Sequence, residues 1–159
     1  MNKPVVLRAT LVAAVLALLT VSAAEAAGPY QFFSVTPCRI VDTRNAPGIT
    51  GGPALTAGSP RNFPIDVAPA ACGVPNTAKA ATLNVTIVGP TADGFLTIWP
   101  FNTSLPTVST INASAGEPAL ANGAIVPLTV DPNFNVSVVY GTAGGGTANV
   151  ILDVTGYFQ

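Results

Sequence analysis

Apolar side chains recur at every second position in several short runs of the chain. Ala81, Leu83, Val85 and Ile87 alternate with Thr82, Asn84 and Thr86. Successive side chains of an extended strand point to opposite faces, so this run predicts a strand with one buried and one wet face. Phe134, Val136, Val138 and Tyr140 form a second such run, and Val150, Leu152 and Val154 a third. Phe63, Ile65 and Val67 alternate with Asn62, Pro64 and Asp66. Pro64 has no N–H for a ladder, which places that strand at a sheet edge. The run 95–101 is apolar on both faces, with Leu96 and Ile98 on one and Trp99 and Phe101 on the other. That pattern belongs at the centre of a sheet.

Turn chemistry separates these runs. Asp93-Gly94 predicts a tight hairpin between the strand ending near Val88 and the one starting at Phe95, because this dipeptide tolerates positive φ angles. Asp131-Pro132-Asn133 precedes the Phe134 run, and the glycine-rich stretch 141–146 predicts a hairpin tip before the last strand. The stretch 45–60 carries four glycines and three prolines and reads as a long surface loop. No helical stripe follows Ala27, and prolines and β-branched residues oppose one. The expected fold is all-β: a single antiparallel β-sandwich, jelly-roll-like, of about eight or nine strands.

The beginning of the chain is expected to be removed. Lys3 and Arg8 precede an apolar run over 11–21, and Ala24-Glu25-Ala26 matches a small-residue cleavage site. The run is shorter than the roughly 20 apolar residues that span a bilayer. Residues 1–26 are therefore read as a signal peptide and 27–159 as the β-sandwich domain, secreted or held at the cell surface. No later segment has the length and apolarity of a membrane span.

Without that leader, four basic and six acidic side chains remain. The arginines are scattered, which argues against a nucleic-acid partner. Charged residues make up only 8% of the chain, so Asn, Thr and Ser must keep it in solution. Cys38 and Cys72 are the two cysteines, and in an exported chain they read as a disulfide.

The chain has no histidine, which removes Ser-His-Asp and Cys-His catalysis and the usual His-containing metal sites. No catalytic residue, cofactor or metal site is expected. A carboxylate pair is the remaining route to hydrolysis, but Asp93 and Asp131 occupy turn positions where Asp is expected anyway. Asp42-Thr43-Arg44 follows the apolar pair Ile40 and Val41, four residues beyond Cys38. Asp42 can pair with Arg44 or Arg39 as a structural staple, or serve a ligand clamp or an ion. Asp153 in the last strand has the same two readings, with an arginine partner as the default. Trp99, Phe101, Tyr140 and Tyr157 are candidates for a sugar-stacking platform if exposed, although strand aromatics are more often core.

Two motifs carry a resemblance. Phe33-Ser34-Val35-Thr36-Pro37-Cys38-Arg39-Ile40-Val41-Asp42-Thr43-Arg44 and Ile151-Leu152-Asp153-Val154-Thr155-Gly156-Tyr157-Phe158 are similar to the opening and closing signatures of a group of secreted bacterial modules. Gly94-Phe95-Leu96-Thr97-Ile98-Trp99-Pro100 and Val108-Ser109-Thr110-Ile111-Asn112 fit the same pattern. Such modules occur alone, in tandem or appended to extracellular hydrolases, and have no assigned activity. The resemblance implies an accessory role. The leading expectation is a non-catalytic module that binds an extracellular glycan or cell-wall component. The alternatives are a self-assembling subunit of a surface layer or appendage and, behind it, a carboxylate-dependent hydrolase.

Overall fold

The computed structural model describes residues 29–66 and 72–159. The expected signal peptide and Val67 lie outside the described residues. The described chain is all-β, with nine strands and no helix. In order they are β1 (Phe32–Asp42), β2 (Leu55–Thr56), β3 (Arg61–Phe63), β4 (Ala80–Val88), β5 (Gly94–Pro100), β6 (Ile111–Ala113), β7 (Leu120–Pro127), β8 (Val136–Thr142) and β9 (Thr147–Phe158).

The strands form two antiparallel sheets. One runs β1-β9-β4-β7, with β2 also paired to β9, and the other runs β3-β8-β5-β6. Strands pair from the chain ends inward, β1 with β9, β3 with β8, β4 with β7 and β5 with β6. This is one long hairpin. Rolling it up adds the contacts β4·β9 and β5·β8, which turn it into a jelly-roll sandwich. The inner faces bury Leu83, Val85 and Ile87 of β4, Leu96 and Ile98 of β5, Val136, Val138 and Tyr140 of β8, and Val150, Leu152 and Val154 of β9. These are the apolar members of the alternating runs, so the strand pleat alone decides which side chains enter the core.

The disulfide joins Cys38 of β1 to Cys72. It encloses β2, β3 and the loop 43–54, and a closed loop of this length restricts the unfolded chain by about 3–4 kcal/mol.

Three local expectations are corrected. Asp93-Gly94 is not a tight hairpin, because β4 and β5 belong to different sheets and the connection crosses between them. Gly94 instead starts β5, where a Cβ would collide with the Gly141 carbonyl. The stretch 141–146 likewise crosses from β8 in one sheet to β9 in the other. The loop 45–60 is partly internal: it contains β2, and Leu55 is fully buried. Arg61 holds this loop by donating to the carbonyls of Gly51, at 2.9 Å, and Pro53, with its guanidinium over the Phe63 ring. The edge placement of the Phe63 run holds, but β3 stops before Pro64, and Ile65 is buried beyond the strand end.

Candidate functional site

The opening and closing motifs become neighbouring strands, since β1 and β9 pair along their length. Register places Arg39 directly opposite Asp153, with Asn84 of β4 next in the same row. The Arg39 guanidinium grips Asp153 with two hydrogen bonds, at 2.8 and 3.1 Å. Its remaining terminal nitrogen lies 3.5 Å from Asp42. Arg44 then closes on Asp42 through Nε at 2.8 Å, Nη2 at 2.6 Å and its backbone N–H at 3.1 Å. The four sequence candidates Arg44, Asp42, Arg39 and Asp153 thus form one ladder of alternating charge.

Asp42 sits at 6% exposure, while its two arginine partners remain about half exposed. The hydrogen bonds from Arg44 hold its carboxyl down at about 2, against the opposing effect of burial. Arg39 is raised, mainly by its bond to Asp153, and Arg44 by its bond to Asp42. A carboxylate so firmly ionised has no proton to give near neutral pH, so Asp42 is unsuited to general-acid work. Its neighbour Thr43 is buried and knits the same corner: its hydroxyl donates to Asn149 and accepts from the Val150 N–H at 2.9 Å. Among the described residues, no buried side-chain polar atom lacks a partner, and no three His, Cys, Asp or Glu side chains converge as metal ligands. The corner is a staple between the two ends of the chain, with a shallow hollow over Arg39, Asn84, Asp153 and Thr155.

The four aromatic candidates do not form a platform. Tyr140 is fully buried in the core, and its hydroxyl donates to the Ala92 carbonyl. Trp99 is 6% exposed, with its indole N–H on the Thr103 carbonyl at 3.1 Å. Phe101 lies past the end of β5 and tilts against Phe134. Tyr157, in the first sheet, stacks on its cross-strand partner Phe33. A bulge after Val154 shifts the β9 register, and Tyr157 consequently packs against the core. The sites are dispersed because strand aromatics serve the nearest packing surface, and these four have different ones.

A second, deeper hollow is elsewhere. On the outer face of the second sheet, a groove of about 560 Å³ runs between β5, β8 and the loop 105–109. Phe95, Leu105, Val108 and Val139 supply its apolar surface, and Thr97, Thr107, Ser109 and Asn112 its polar groups. Among the described residues, no charged side chain lines it. Phe95 pairs with Gly141 across the ladder, and the outer end of its ring lies over that glycine, where a Cβ would intrude on it. The ring is thereby held against the sheet and still 37% exposed. The loop is pinned from below: Thr97 donates to the Val108 carbonyl at 2.6 Å, Thr110 N–H donates to the Leu96 carbonyl at 2.7 Å, and the Thr110 hydroxyl accepts from Ile98 N–H at 3.1 Å. The groove is therefore preformed rather than assembled around a ligand. Sequence reasoning missed Phe95 as a surface aromatic. The available signal was Gly141, whose missing side chain makes room for a ring on the facing strand.

Asn135 was also missed. It is fully buried, accepts from Ile65 N–H at 2.6 Å and Asp66 N–H at 3.1 Å, and donates to the Thr129 carbonyl at 3.0 Å. It fixes the chain after β3 to the start of β8. Asp66 lies in the bend beside it, where burial raises its carboxyl and Asn135 acts the other way.

No protein-family model, curated protein or solved structure matches this chain.

Proposed function

We propose that the chain is a secreted, non-catalytic accessory module that binds a neutral extracellular polysaccharide in the groove over β5 and β8. The observation that carries this reading is the Phe95 ring, seated over Gly141 and partly exposed in a groove of hydroxyls and an amide without charge. A sugar ring offers an apolar face of axial C–H bonds and an edge of hydroxyls. Such a ligand matches an aromatic plane beside Thr107, Ser109 and Asn112 better than an ionic ligand does. The disulfide agrees with an oxidising compartment outside the cytoplasm, and the leader-like residues 1–26 and the two terminal motifs support export and an accessory role.

The test is a panel of immobilised neutral and charged polysaccharides, followed by calorimetry on any hit. Binding to a neutral glycan that Phe95→Ala reduces at least about tenfold supports the proposal. Binding to none of the panel, or a hit indifferent to Phe95→Ala, rejects it.

A further inference from the structure

Sheet edges are templates for another strand, and proteins usually blunt them. Among the described residues the sandwich has four outer edges, and three of them are blunted. β3 and β6 have three residues each, and β3 runs into Pro64. β1 is broken by two register shifts, carries Pro37 within it and presents the half-exposed Arg39. β7 is far less protected, its single proline being its last residue. It is eight residues long, holds an unbroken register with β4 from Pro127 to Leu120, and contains no charged residue.

The backbone orientation of β7 follows from one bond. Leu128 N–H donates to the Lys79 carbonyl at 2.8 Å, one step beyond the Ala80–Pro127 pair. Facing residues of an antiparallel ladder alternate between bonded and non-bonded pairs. Leu120, Asn122, Ala124 and Val126 therefore turn their backbone groups to β4, while Ala121, Gly123 and Ile125 turn theirs outward. Pro127 falls in the outward set, where its missing N–H costs no bond to β4. Ala121, Gly123 and Ile125 are exposed, Ile125 at 65%, and open space surrounds Gly123 where a Cβ would stand.

We propose that β7 is a homodimer interface, at which two copies of this chain pair β7 with β7 across a two-fold axis and join two five-stranded sheets into one. The two-fold runs through Gly123, so that Ala121 of each copy faces Ile125 of the other and the exposed isoleucine is covered. A two-fold interface sets any charge near its own copy, and the uncharged β7 avoids that repulsion. The blunted edges stop growth at two copies. The interface is in the sheet opposite the Phe95 groove, so the two proposals stand or fall separately.

Sedimentation equilibrium on the full, disulfide-bonded chain, with amide exchange at low and high concentration, tests this. The expected result is a monomer–dimer equilibrium, in which the amides of Ala121, Gly123 and Ile125 slow at least about tenfold on dimerisation and those of Asn122 and Ala124 do not change. Ile125→Lys, at an exposed position, should weaken the dimer at least about tenfold, while Ile125→Thr retains it. Ala121→Lys supplies an independent variant should the first not fold. A monomer up to about 1 mM, masses beyond the dimer, or a dimer unmoved by either lysine overturns the proposal.

Discussion

Replacing Asp42 by asparagine should remove a pH-dependent part of the stability. In the folded chain the Asp42 carboxyl titrates at about 2, against 3.8 for a free aspartate. Each tenfold change in proton affinity is worth about 1.4 kcal/mol, so the difference amounts to about 2 kcal/mol. Arg39 and Arg44 are half exposed, and solvent screening brings this to about 1–2 kcal/mol. The sign follows from the lowered value. Above about pH 4 both folded and unfolded states carry the ionised group, and the stabilisation is complete. As the pH falls from about 4 to about 2, the unfolded chain takes up the proton first and the stabilisation is lost. The asparagine amide cannot titrate, and its nitrogen sets donor against donor at Arg44. Urea denaturation of Asp42→Asn and parent should show a gap of about 2 kcal/mol near pH 7, a midpoint shift of about 1 M. That gap should narrow by about 1–2 kcal/mol between about pH 4 and pH 2. Curves that stay parallel over the whole range would refute the assignment of Asp42 as the ionised centre of the ladder.

Asn135→Ala leaves two amides and one carbonyl unpaired in a buried position and should cost about 3–5 kcal/mol in urea unfolding; a loss below about 1 kcal/mol would contradict its role as a staple. Replacing Cys38 and Cys72 together by serine should lower stability by about 3–4 kcal/mol, and added reductant should bring the parent to the same midpoint. Gly141→Ala should displace the Phe95 ring rather than the backbone, at a cost of about 1 kcal/mol, because the atoms in the way belong to a half-exposed side chain. In calorimetry, Gly141→Ala should then reduce glycan affinity as Phe95→Ala does, and a variant binding like the parent would separate the ring from the site.

Local pattern alone determined much of this protein. Alternation placed the inward residues of β4, β8 and β9, and the both-faces-apolar run placed β5 inside its sheet, because the pleat that sorts side chains acts within one strand. The Asp42, Arg39, Arg44 and Asp153 pairing was also legible, since a carboxylate among apolar strand residues requires a cation. The cysteine pair was legible from its count. Sheet membership was not. Arg39 and Asp153 meet across 114 residues, and Asp93-Gly94 carries hairpin chemistry at a point where the chain changes sheets. β7 left no alternation to read, because an edge strand whose residues are nearly all exposed has no buried face to impose one. The burial of Trp99, the exposure of Phe95 and the three bonds of Asn135 likewise depended on which segments fold over them. Turn and strand preferences are energies between near neighbours, whereas exposure belongs to a surface that exists only after the two sheets have closed on each other.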